Sequence, residues 1–109
     1  MIQSFKTKNL EVWWKGTQEE PPKDKNMKLP SKAAKKLKAI LKSLNTVRSF
    51  GELKETFSAN SYKFQKYKKH GEDWWEIRVS GNYRLIFHFN KMTADVTGIE
   101  YTDGTHSRP

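Results

Sequence analysis

Trp74-Trp75-Glu76-Ile77-Arg78-Val79-Ser80-Gly81-Asn82-Tyr83-Arg84-Leu85-Ile86-Phe87-His88-Phe89 decides the fold. Taken in steps of two, Trp75, Ile77 and Val79 alternate with Trp74, Glu76 and Arg78. Tyr83, Leu85, Phe87 and Phe89 alternate in the same way with Arg84, Ile86 and His88. A period of two is the side-chain repeat of a strand, so the stretch predicts a hairpin. If the apolar sets share one buried face, Val79 pairs with Tyr83, Ile77 with Leu85 and Trp75 with Phe87, and Ser80-Gly81-Asn82 forms the loop. Glycine and asparagine suit that loop because both tolerate positive φ. The same register sets Arg78 opposite Arg84 on the other face, with Glu76 near Ile86 and Trp74 near His88. Like charges directly opposite one another destabilise a sheet. Either Glu76 bridges the pair or an anion visits it; the alternative is that both arginines fan into solvent. Paired guanidinium forks grip phosphate in bidentate fashion.

Upstream of the hairpin, Met1–Phe5 reads as a short first strand. A helix is expected over Lys8–Lys15, where Leu10, Trp13 and Trp14 fall on one face and Gly16 supplies a stop. The polar, proline-broken run from Thr17 to Lys28 is expected to be an exposed loop. Ser31 then caps a second helix with an apolar stripe of Ala33, Ala34, Leu37, Ile40, Leu41 and Leu44. Its other side carries Lys32, Lys35, Lys36, Lys38 and Lys42, either a solvated face or a binding surface. Asn45 to Ser58 is a connector with room for a helical turn near Phe50–Leu53. Tyr62–Lys68 alternates as a strand, Lys68–Asp73 turns, and Ala94–Tyr101 is a last strand. The order is a strand, two helices, then four strands. It predicts an α+β domain with two N-terminal helices packed on a mostly antiparallel sheet.

With 109 residues the chain makes one domain. A net charge of +9 and a pI near 9.8 point to a polyanionic partner, nucleic acid or ribosome before membrane. No apolar run approaches the roughly 20 residues of a spanning helix, and Met1–Lys6 lacks the apolar core of a signal peptide. Cysteine is absent, so there is neither a disulfide frame nor a thiolate nucleophile, and a cytoplasmic protein is expected. Only Arg48, Arg78, Arg84 and Arg108 are arginine among 21 basic residues, and two of these lie in the hairpin. Three histidines without a short or helical spacing do not suggest a zinc site, and no Gly-rich phosphate loop is present. Adjacent tryptophans point to different faces, so one of each pair is core, and Trp74, on the arginine face, is the candidate to stack on a base.

The segment Met1-Ile2-Gln3-Ser4-Phe5-Lys6 with Leu10, and above all Trp75 to Phe87, resembles the HigB branch of the RelE/ParE toxin superfamily. The resemblance spans Met1 to Tyr101, as a single RelE-like domain with an enlarged loop at 17–29 and a polar tail at 102–109. It implies a growth-inhibiting toxin that enters the ribosomal A site and cuts messenger RNA without a metal or other cofactor. It also implies an antitoxin partner, a small helix-turn-helix protein if the HigB likeness extends that far. Arg84 matches the strand arginine that holds the scissile phosphate, Lys68 the lysine of a family turn, and Arg78 an arginine common at its position. The pattern departs at Gln65, where HigB proteins often carry histidine, at Lys69 in place of glycine, and at Tyr101-Thr102-Asp103 in place of Asp-Tyr-His. A ParE-like gyrase poison and a noncatalytic RNA-binding homologue remain open on the same scaffold.

Metal-free RNA cleavage needs a base for the 2′-hydroxyl, cations for the phosphorane and an acid for the 5′ oxygen. Arg84 and Arg78 suit the phosphorane, and Lys68 can add charge or exchange protons. The proton carriers are harder to assign: His70 beside Lys68, His106 in the tail, and Tyr101, which either meets the RNA or is buried at the end of its strand. His88 lies at the far end of the arginine face, in a structural or stacking role. Lys32, Lys35, Lys36, Lys63 and Lys66 are further expected RNA contacts.

Overall fold

The computed structural model describes residues 1–16, 31–81 and 83–103, without the side chains of residues 31, 32 and 103. Among the described residues three α-helices, α1 (Lys8–Lys15), α2 (Ser31–Thr46) and α3 (Phe50–Thr56), precede four strands, β1 (Gln65–Lys66), β2 (Trp74–Ser80), β3 (Tyr83–Phe89) and β4 (Val96–Asp103). The strands form one antiparallel sheet in the order β1-β2-β3-β4. This is the expected α+β architecture, with one helix more than predicted.

The additional helix has a local cause. Ser49 caps α3 by accepting a hydrogen bond at Oγ from the Glu52 backbone N–H at 3.1 Å. Ser-x-x-Glu is the spacing of a capping box, which extends the expected single turn to Thr56 and carries Leu53 into the core. In α2 the stripe Ala33, Leu37, Ile40, Leu41 and Leu44 is buried as the 3.6-residue period requires. α1 has the expected bounds, with Leu10 buried, Trp13 and Trp14 packed against the core, and Glu11 3.5 Å from Lys15 one turn on. The loop expected at 17–29 and the tail beyond 103 lie outside the described residues.

The hairpin register follows the alternation: Trp74 pairs with His88, Trp75 with Phe87, Glu76 with Ile86, Ile77 with Leu85 and Arg78 with Arg84. At the turn it departs, because a register shift makes Ser80, not Val79, the partner of Tyr83. The bulge admits one more residue on β2 while Val79 stays 1 % exposed in the core. Met1–Phe5 is not a strand; Ile2 and Phe5 make isolated parallel bridges to Val96 and Ile99 along the edge of β4. The strand expected over Tyr62–Lys68 shrinks to Gln65–Lys66, since Asn60–Tyr62 and Lys68–His70 form single 3₁₀ turns and Lys63 is left-handed at φ 44°. The last strand starts at Val96 and runs on to Asp103.

Leu10, the α2 stripe, Val47, Leu53 and Phe57 pack with Ile77, Val79, Leu85, Phe87, Phe89, Val96, Ile99 and Tyr101 in one cluster. The helices therefore cover one face of the sheet. Glu76 and Ile86 are buried too but lie on the opposite face, outside that cluster. That second face carries the chemistry.

Candidate active site

Strand pairing arranges the outer face in three rows. Trp74, His88 and Thr97 lie across one end, Gln65, Glu76, Ile86 and Glu100 across the middle, and Arg78, Arg84 and Thr102 across the other end.

Glu76 is the one buried charged or polar residue among the described residues, at 6 % exposure. A carboxylate so placed needs partners, because burial of an unpaired charge is strongly unfavourable. It has two: the Gln65 side-chain amide donates to Oε1, and Arg84 Nη1 lies 3.3 Å from both Oε1 and Oε2. The Arg84 side chain remains 41 % exposed against 8 % for Glu76, so the guanidinium is anchored at one nitrogen and open on its other side. Arg78 takes a different route out of the like-charge contact, its Nε donating to the Gly81 carbonyl at 3.0 Å. Of the two expected resolutions, Glu76 thus satisfies Arg84 alone, and the turn holds Arg78. Lys63, Gln65, Glu76, Arg78 and Arg84 line a depression of about 20 Å³, room for a single water or hydroxyl group. Three cations against one carboxylate leave it positive.

The chain between β1 and β2 folds over the rest of this face. The Tyr67 amide donates to the Trp74 carbonyl at 2.8 Å, and the 3₁₀ turn Lys68–His70 follows. His70 Nε2 lies 3.7 Å from Glu100 Oε2, which also meets Lys6 at 3.6 Å. The His70 ring sits edge-on to Tyr67 at 4.9 Å and to Trp74 at 4.8 Å, and Trp74 meets His88 at 5.5 Å. Burial, and then the carboxylates of Glu100 and Glu76, hold the Tyr67 hydroxyl above the usual tyrosine range, with Arg84 pulling the other way. Tyr67 therefore stands between both acids and the arginine.

Of the residues expected to act, Arg84, Arg78, Lys63, Trp74 and His70 share this face, and Lys68 is exposed in the turn beside His70. Tyr101 does not join them. It pairs with Leu85, so it projects into the core, is 4 % exposed and stacks on Tyr83 at 5.5 Å. The residue beside Arg84 on β4 is instead Thr102. Lys66 pairs with Trp75 and so alternates away from Gln65. Lys35 and Lys36 ride on α2, on the other side of the sheet, with the Lys36 ammonium 5.1 Å from the Tyr62 ring centre. The Lys32 side chain and His106 lie outside the described residues. Sequence reasoning passed over Tyr67 and Glu100. Tyr67 had a legible signal, since it is two residues from Gln65 on the expected strand and so shares its face.

An antiparallel sheet with helices on one face and an arginine pair on the other makes this a small α+β domain with a basic outer face. Residues 3–103 match the family model of the RelE-like toxin of the type II toxin–antitoxin system HigB, and the chain belongs to that family. No curated protein matches it. It is thus a toxin of a type II pair, and an antitoxin is its partner. Among the described residues no helix is long and apolar enough to cross a membrane.

Proposed function

We propose that the protein is a ribosome-dependent messenger RNA endonuclease that acts in the cytoplasm, entering the ribosomal A site and cleaving by attack of a 2′-hydroxyl on the adjacent phosphate, with no metal. The observation that carries this reading is Arg84, anchored at one nitrogen by a buried glutamate beside Arg78, with its other edge open to solvent. That arrangement suits a phosphate whose charge grows in the transition state, because the cation is already oriented and needs no reorganisation. The charge of +9 favours encounter with ribosomal RNA. His70, held by Glu100, is the imidazole best placed to carry a proton. Lys68, Lys63 and Trp74 are the RNA contacts at the rim, and the antitoxin is a small helix-turn-helix protein.

Arg84→Ala is expected to lower cleavage of messenger RNA on programmed ribosomes by about 10²–10³-fold, as loss of a preorganised transition-state donor does, and to relieve growth inhibition. Undiminished cleavage and toxicity in that variant would sink the reading. A second reading, a noncatalytic RNA-binding homologue, is favoured by Gln65 and Asp103 standing where the resembling toxins carry histidine. It requires intact messenger RNA despite tight A-site binding by the wild-type chain. DNA breaks on expression would point instead to gyrase.

A further inference from the structure

We infer that Glu76 is the general base of the cleavage reaction, its Oε2 taking the proton of the attacking 2′-hydroxyl. This rests on the endonuclease reading above. The Gln65 amide and Arg84 both reach Oε1, whereas Oε2 has Arg84 alone among the hydrogen bonds of the carboxylate. A carboxylate oxygen accepts more than one hydrogen bond, so Oε2 keeps capacity for a further donor. The depression that Glu76 lines with Arg78 and Arg84 holds about 20 Å³, the size of one hydroxyl group. A ribose 2′-hydroxyl seated there meets the carboxylate while the neighbouring phosphate lies against the two guanidinium groups.

Fold stability alone explains the burial of Glu76 less well. Arginine at 41 % side-chain exposure is already solvated and gains little from a partner that is 8 % exposed and must be desolvated. An acid placed within the arginine pair also weakens the pull of that site on phosphate in the ground state. Both features follow if the carboxylate is needed for proton transfer. In the step, the 2′-oxygen forms its bond to phosphorus as its proton passes to Glu76. The bond from phosphorus to the 5′ oxygen breaks, and that oxygen takes a proton from His70 in its protonated form. The products are a 2′,3′-cyclic phosphate and a 5′-hydroxyl end.

Single-turnover cleavage on programmed ribosomes, measured together with A-site affinity, separates this role from a positioning one. Glu76→Gln keeps the shape of the side chain and an acceptor for Gln65 and Arg84. The cleavage rate is expected to fall by about 10²–10⁴-fold with affinity unchanged or higher. A rate within threefold of wild type overturns the inference, as does a loss of affinity that accounts for the whole decrease. Should glutamine disturb the packing, Glu76→Asp and Glu76→Asn make the same comparison one methylene shorter, and the aspartate variant is expected to be the faster by more than tenfold. Equal rates for that pair overturn the inference. Cleavage by the wild type that is lost in Arg84→Ala but retained in Glu76→Gln refutes the base alone; absence of cleavage by the wild type refutes the endonuclease reading.

Discussion

The two faces of the β2–β3 hairpin are made from alternate residues of the same strands, yet they are held by different forces. On one face Ile77, Val79, Leu85, Phe87 and Phe89 are buried under α1, α2 and α3, and removal of apolar surface from water fixes them. On the other, Ile86 and Glu76 are buried too, but among the described residues none of α1, α2 and α3 packs on them. Their cover comes from chain folded back between β1 and β2, from Tyr67, His70 and Trp74, and from charged partners. The first face could be repacked with other apolar residues of similar volume. The second depends on which polar atom meets which, and this is what a reactive site requires.

The largest expected effect tests the first face. Phe87→Ala removes a fully buried ring and should destabilise the fold by about 3–5 kcal/mol, seen as a lowered midpoint in denaturant. Arg78→Ala, on the opposite face and pointing to a turn carbonyl, should cost no more than about 1 kcal/mol. Similar losses for the two would abolish the distinction between a packed face and a reactive one.

That distinction also marks how far the sequence could be read. Alternation of apolar residues determines the hairpin register without knowledge of anything distant, so the opposition of Arg78 and Arg84 and the pairing of Trp74 with His88 were legible. The bulge at Val79 was not, because it preserves the burial of Val79 and leaves no trace in the alternation. α3 runs to Thr56, beyond the turn expected near Phe50–Leu53, although its Ser49–Glu52 capping spacing is visible in the sequence. The buried state of Glu76 and the meeting of His70 with Glu100 depend on residues brought together across the sheet. Neither propensity nor periodicity settles such contacts; the resemblance to the HigB toxins points to Arg84, and the hairpin register offers Glu76 as a bridge between the arginines, of which it meets Arg84 alone.

A mutation at the seam between strands asks how rigid the outer face is. Gly98 has φ +62°, and a Cβ there would stand 2.8 Å from Trp74 Cη2. Gly98→Ala should therefore cost about 1–3 kcal/mol through backbone strain and overpacking. Because Trp74 carries His70 and His88 on its edges, its fluorescence and near-ultraviolet dichroism should change as well. An unchanged tryptophan signature would mean that the outer aromatic cluster is looser than its geometry indicates. Ser49→Ala, which removes the α3 cap and touches neither face directly, should cost about 1 kcal/mol and leave that signature alone.

The smallest effect is the most specific to the outer face. The Tyr67 hydroxyl is held above the ordinary value of 10.0, first by burial, then by Glu100 and Glu76. A group whose pKa is raised on folding binds its proton more tightly in the native state. Its contribution to stability is therefore complete below the unfolded value and is lost as pH rises through the native one. Difference titration of the wild type against Tyr67→Phe, followed by tyrosinate absorbance, should show Tyr67 ionising above pH 10, and the stability gap between the two proteins should narrow over the same alkaline range. Glu100→Gln should return only part of the shift, since burial is the larger cause and Glu76 remains. Full return to the ordinary value would mean that Glu100 alone raises the hydroxyl, and that neither burial nor the Glu76 carboxylate contributes.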